Sequence, residues 1–432
     1  MIELLRHRDA RLLLTGETLS LLGDRAMFLA LGIWVKSLTG SSAEAGLVFF
    51  AYALPGLLAP AAGLLADRVR RRTLLIATEL AIVPPLLSLL FVHDRSQLWL
   101  IYLVAILYGA SGTLSGSARS ALLAEMLPSR LLPQANAALQ TTSEGMRLVA
   151  PLAGAGLFAA FGGGAVACLD AATFVASAIC LAALHHRAPR PVPHEHHLLR
   201  QMTAGVGHIN RTPDLRRVIV ALGVSLLVVG FAETAIFSVV GQGLHRHPSF
   251  LGVLVSVQGV GAIAGALVAA PLLRRLGDGR FIALGLVFFA VGDGALVTSD
   301  VAVALTGIAI AGAGLSWALI GFGTTVQQRT PLDLQGRVYS AAELVLSVPQ
   351  TLSIGFGALL VSVIDYRLLL LAIAAVVGAS GAVLAARSAG AQYTPPDAEL
   401  ARPLGAGSGR GERAAGGLWP DGAGERVHSD PQ

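Results

Sequence analysis

Apolar stretches of about twenty residues recur from Arg11 to Arg387, and each can cross a hydrocarbon core of about 30 Å. No water-soluble fold needs so many of them. Charged residues make up only 13% of the chain, about half of what a soluble domain carries, so water is not the solvent for most of this surface. The fifty glycines fit the same reading, because small residues let spanning helices approach closely in lipid. The fold class expected is an all-α membrane protein. Its formal charge of +5 sits in short loops between apolar runs, which favours a bilayer over nucleic acid as the partner. The start, Met1 to Arg11, is short and charged and reads as no cleavable signal peptide.

Twelve spans follow, near residues 12–36, 44–66, 73–93, 98–118, 134–160, 164–184, 217–240, 250–273, 281–299, 302–325, 338–362 and 366–386. An even number puts both termini on one side. One set of segments holds 25 arginines and the opposite loops hold four basic residues, Lys36, Arg95, Arg246 and Arg367. Arg119 and Arg130 are counted here with the first set of loops. By the positive-inside rule both termini are cytoplasmic, with the chain in the cell's inner (plasma) membrane.

The longest loop separates six spans from six. It divides the chain into an N-terminal six-helix bundle (1–184), a cytoplasmic linker (185–216), a C-terminal six-helix bundle (217–387) and a disordered cytoplasmic tail (388–432). The halves are weakly similar. Gly154 and Gly156 in span five stand 201 residues before Gly355 and Gly357 in span eleven. Two parallel six-span halves around a mid-membrane site are a recurrent transporter plan.

The turn after span two reads Gly63-Leu-Leu-Ala-Asp67-Arg68-Val-Arg70-Arg71-Arg72. It resembles the loop signature of the major facilitator superfamily, Gly-x-Leu-Ala-Asp-Arg-x-Gly-Arg-Arg, with Arg70 at the second glycine. Ala150-Pro151-Leu-Ala-Gly154 is similar to the Gly-Pro-x-x-Gly core seen in that superfamily's proton-coupled exporters. Further phrases resemble the enterobactin-exporter-like and macrolide-efflux-like branch: Ser20 to Asp24, Leu38 to Ser41, Ala135 to Ala137, Gln327-Gln328 and Gly336 to Val338. The resemblance covers roughly residues 10–387. It implies two pseudo-symmetric bundles, alternating access, and a cytoplasmic gate at Gly63, Asp67, Arg68, Arg71 and Arg72, in which an Asp67–Arg71 charge relay holds one face shut. Surface ion pairs are worth only about 0–1 kcal/mol, a weakness that suits a gate opening at every turnover.

Charges inside spans are the other candidates, because each needs a partner or a water-lined cavity. Glu17 and Asp24 in span one are seven residues apart and share a helical face, whereas Arg25 points about 100° away from Asp24. Asp24 lies near mid-span, where a bare carboxylate costs most. A carboxyl that holds a proton there has what proton coupling requires, the alternative being a structural contact between Asp24 and an arginine. Glu144 and Arg147 in span five can meet on one face, either as a structural pair or against substrate. Glu233 in span seven ranks above Asp293 in span nine, because the resemblance makes span seven cavity-lining. Glu79 reads as a neutraliser of the loop arginines. Pro151, Gly154, Gly261 and Gly265 read as a close-packed seam along which the halves slide.

Several classes fall away. Cys168 and Cys180 share one apolar segment and read as plain buried thiols. His185, His186, His194, His196 and His197 match no closed metal site. No metal or cofactor is expected, and no nucleotide loop, nucleophile elbow or paired catalytic carboxylates point to a membrane-embedded enzyme. The partners expected are lipid, a small-molecule substrate and protons, around a monomer. A proton-driven exporter of small amphipathic compounds leads, with an uptake carrier or lysolipid flippase of the same fold behind it.

Overall fold

The computed structural model describes residues 4, 7–59, 62, 69–128, 131–185, 198–331 and 334–388. Gly63, Asp67 and Arg68 of the expected gate, the linker histidines after His185, and the tail lie outside the described residues.

Among the described residues, thirteen α-helices follow one another. They are α1 (Arg8–Thr39), α2 (Ser42–Ala53), α3 (Arg71–Ser88), α4 (Leu98–Met126), α5 (Leu132–Phe161), α6 (Gly163–Ala182) and α7 (Leu198–Arg211). Then come α8 (Pro213–Ser238), α9 (Phe250–Leu276), α10 (Asp278–Gly294), α11 (Val301–Arg329), α12 (Gln335–Leu360) and α13 (Tyr366–Arg387). Ten of them, some with a short 3-10 or π extension, are long and apolar enough to cross a membrane. Residues Ser42–Leu58 form a shorter apolar helix, and α5 is thirty residues long but carries Glu144 and Arg147 inside it. With these two the twelve expected spans are accounted for, and α7 is additional.

Local chemistry explains the breaks. α1 stops at Gly40, whose φ of 71° is left-handed and whose N–H bonds Lys36 O, and Ser41 at once caps α2 by accepting from Glu44 N. Lys36 Nζ then donates to Gly40 O at 2.7 Å and to Ser42 Oγ at 2.9 Å, pinning the reversal. α2 loses its α-helical form at Leu54, one residue before Pro55, and continues as a 3-10 turn through Leu58. The linker is the main departure from the sequence reading. Part of it is the amphipathic helix α7, and Gly205 lets that helix press onto the Arg337 backbone of α12.

Neighbouring helices repeat between the halves. In the first, α1 packs on α5 and α6, α3 on α4 and α6, and α2 on α4. In the second, α8 packs on α12 and α13, α10 on α11 and α13, and α9 on α11, the same pattern under exchange of spans one to six for seven to twelve. The halves meet along α5 with α9 and along α2 with α8 and α12. Gly154 packs on Ala26 of α1 and Gly357 on Phe231 of α8, whereas Gly355 faces Phe50 across the seam. The packing equivalence therefore links Gly154 to Gly357 rather than to Gly355.

The expected sliding seam needs correcting. Pro151 does face α9 across it, but Gly154 packs inside the first half, and Gly261 and Gly265 pack on Ala309 and Ala313 of α11 inside the second. The seam face of α9 is Gly252, Ser256 and Gly259, which meet Pro151, Ala155 and Leu148 of α5. At 100° per residue these three lie opposite Gly261 and Gly265 on the helix. A methyl group at Gly261 would land on the Ala309 carbonyl, which is backbone and cannot rotate away. Gly261→Ala should therefore cost about 1–3 kcal/mol and lower the melting temperature in detergent. Gly156→Ala, at a glycine with nothing within 4 Å, should leave it unchanged or raise it.

Candidate functional site

A cavity of about 420 Å³ lies inside the first half. α1 lines it with Ser20, Asp24, Arg25 and Phe28, the end of α2 with Tyr52, α3 with Glu79, α4 with Tyr108 and Arg119, and α6 with Phe174. Small residues make the room: Gly23 sits against Asp170 and Thr173 of α6, and Gly109 against the Tyr52 carbonyl.

Its polar groups form two tiers. In the deeper one, the Tyr108 hydroxyl lies 2.7 Å from Asp24 Oδ1 and 3.0 Å from Asp170 Oδ2. Asp170 has no exposed surface, and Thr173 Oγ1 donates to its backbone carbonyl. In the other tier, Arg119 Nε donates to Glu17 Oε2 at 2.5 Å, and Ser177 Oγ donates to Glu79 Oε1 at 2.9 Å. Glu79 is 3% exposed and, among the described residues, its second oxygen has no hydrogen-bond partner, so one acceptor remains open in the cavity wall. Seven residues of α1, about 10 Å of rise, separate Glu17 from Asp24. The tier of Glu17 and Glu79 is the one nearer the end that bears the N-terminus.

The electrostatics are demanding. Asp24 and Asp170 touch one phenol oxygen, so their near oxygens are within about 6 Å, where two full charges repel by ~3 kcal/mol at an effective dielectric of ~20. Arg119 and Arg25 offset part of this from the cavity wall. Aromatic rings close the remaining side: Phe28 stacks on Phe49, Tyr52 meets Phe28 edge-on, and Tyr108 meets Phe174 edge-on.

The sequence candidates separate into groups. Glu17, Asp24 and Arg25 come together here. Arg119, counted as a loop cation, is instead inside α4, because that helix runs to Met126 rather than ending near residue 118. Glu79 does not neutralise loop arginines; it turns inward to Ser177. Arg71 pairs with Glu125 of α4, and Arg72 donates to the carbonyls of Leu181 and Ala182 at the end of α6, where a cation suits the helix dipole. Glu144 accepts from Gln140 at 2.9 Å and meets Arg147 only at 3.9 Å. Neither Glu144 nor Arg147, nor Glu233 of α8, lines the cavity. Cys168 is exposed and Cys180 half-buried, so neither is the fully buried thiol expected. Asp170 and Tyr108 were not anticipated. A lone acid in the apolar run of span six, with Thr173 and Ser177 on its face, was the signal available.

Residues 3–397 match the transmembrane secretion effector family. The chain is 27% identical over 367 residues to the uncharacterized MFS-type transporter YfiS of Bacillus subtilis (strain 168), covering 81% of this chain and 85% of that one. It is also 27% identical over 336 residues to the uncharacterized MFS-type transporter y4rN of Sinorhizobium fredii, covering 76% and 82%. Among solved structures it resembles a bacterial homologue of the iron transporter ferroportin in an inward-facing state, with a TM-score of 0.69, 17% identity, and 88% and 99% coverage. A POT family transporter in complex with 5-aminolevulinic acid gives a TM-score of 0.70 at 11% identity, with 87% and 95% coverage. A twelve-span architecture with a family match along nearly the whole membrane-spanning region has one meaning: the chain belongs to the transmembrane secretion effector family of the major facilitator superfamily, and it is a multi-pass membrane transporter.

Proposed function

We propose that the protein is a proton-coupled antiporter of the inner (plasma) membrane that exports small amphipathic compounds of drug, macrolide or siderophore type by alternating access. The observation that carries this reading is the acid-lined cavity in which Asp24, midway along a spanning helix, faces aromatic walls and arginines. A carboxyl there can exchange a proton for a substrate group as the cavity changes sides. Sequence phrases shared with enterobactin and macrolide exporters support the substrate class.

The contacts between the halves support the cycle. Ser238 Oγ donates to Ser42 Oγ at 2.9 Å, Phe49 stacks on Phe237, Gly46 meets Thr234, and Gly252 meets Ala155. All lie in the part of the bundle away from the N-terminus. At the opposite end, the ion pairs Arg71–Glu125 and Arg329–Asp214 each join helices of one half. With both termini cytoplasmic, these contacts close the outer side of the seam, the state in which an exporter loads. The Asp67 turn then belongs to the gate that closes behind the substrate, with Arg71 and Arg72 already anchored to α4 and α6. The two rocking bodies are residues 1–184 and 217–387, joined by the linker.

A panel of fluorescent amphipathic compounds in cells with and without the protein tests the direction. At least one compound should accumulate several-fold less in cells that carry it, and the difference should vanish when the proton gradient is collapsed. Net uptake of the active compound would overturn the export reading.

A further inference from the structure

One tyrosine oxygen serves two carboxyl groups. Tyr108 lies 2.7 Å from Asp24 and 3.0 Å from Asp170, and a phenol carries a single hydrogen. It can donate that hydrogen fully to one carboxylate only. The second short O–O contact is satisfied when the other carboxyl is itself protonated and donates to the phenol oxygen, which accepts as readily as it donates. Two bare carboxylates would leave one oxygen facing a lone pair, beside an Asp170 with no exposed surface and a Tyr108 that is 3% exposed.

From this stoichiometry we infer that Asp24, Tyr108 and Asp170 form a bridge holding one shared acidic proton, with Asp170 the second carboxyl of the coupling site. The inference rests on the proton-coupled reading but adds a residue and a mechanism to it. In one arrangement Asp170 is protonated and donates to Tyr108, which donates to the Asp24 carboxylate. In the other, Asp24 is protonated and the chain of donors runs the opposite way. Passage between them moves one hydrogen from carboxyl to phenol while the phenol passes its own to the other carboxylate. No net charge appears on the tyrosine, and the number of protons is conserved.

The surroundings fit a store that can be filled and emptied. Arg25 of α1 and Arg119 of α4 line the same cavity. Glu17 and Glu79 stand between the bridge and the end that bears the N-terminus, and Tyr52 closes the side toward α2. α1, α4 and α6 all belong to one half. The proton therefore need not cross the seam; the half carries it as it rocks.

Infrared difference spectroscopy of the purified protein at neutral pH reads the proton directly, through the C=O stretch of a protonated carboxyl. Because the proton is shared, Asp24→Asn and Asp170→Asn should each remove the same single band, and the double variant should remove no more. Tyr108→Phe, which deletes only the oxygen, should shift that band by taking away the acceptor. Retention of the band in Asp170→Asn, loss of two distinct bands by the two single variants, or an unshifted band in Tyr108→Phe would each overturn the bridge. These readouts involve no transport, so the bridge can fail while proton coupling stands. Conversely, an intact band with proton-independent export would leave the bridge and remove its role.

Discussion

Asp24→Asn is expected to abolish pH-gradient-driven transport, at least about tenfold below wild type in proteoliposomes, while the protein still reaches the membrane and survives purification. The substitution keeps the shape of the side chain. Its amide oxygen can still accept from Tyr108, so the hydrogen bond at 2.7 Å and the packing of α1 against α4 are retained. What it removes is the capacity to take up and give back a proton. A carboxyl inside a span is costly to keep, by about 2.5–3.5 kcal/mol on insertion scales. Such a cost is tolerated where the group has work to do. The assay compares initial rates with and without an imposed pH difference. Wild-type acceleration by the gradient in the variant would take Asp24 out of the coupling step and leave the carrier to run on another ion or on substrate exchange.

Much of this site can be read from the chain before any coordinates, and what escapes does so for physical reasons. Charges stand out in apolar runs, so Glu17 and Asp24 are visible and their seven-residue spacing places them on one face. Asp170 is equally conspicuous in its run, but only the fold shows that Gly23 lets α6 approach α1 closely enough for one tyrosine to join the two acids. Arg119 is hidden by a different effect. Hydropathy marks where the apolar run stops, whereas the helix continues to Met126 and carries the arginine back to Glu17. Glycine spacing behaves similarly. It announces close approach at Gly261 and Gly265 without saying which neighbour is approached, and the neighbour is α11, not the other half. The amphipathic α7 was masked by the proline-rich residues before it. Periodicity and composition are local quantities; partners across the bundle are not.

A disulfide at the far end of the seam should stop transport altogether. Ser42 and Ser238 face one another from α2 and α8 with their hydroxyl oxygens 2.9 Å apart, so their side chains already meet across the seam. In a background with Cys168→Ala and Cys180→Ala, the pair Ser42→Cys and Ser238→Cys should transport at close to the wild-type rate when reduced. Oxidation should bring it to background, and a reductant should restore it. The size of the effect follows from this end being held by noncovalent contacts. The serine hydrogen bond is worth about 0.5–1.5 kcal/mol and the Phe49–Phe237 stack about as much again, and with the packing of Gly46 on Thr234 and Gly252 on Ala155 they form a reversible closure. A covalent bond cannot be parted that way. Cross-linking must therefore convert a reversible closure into a permanent one if the halves rock about the cavity in the first half. Transport that continues through the oxidised pair would mean that this end never opens, and that substrate leaves by some route other than between α2 and α8.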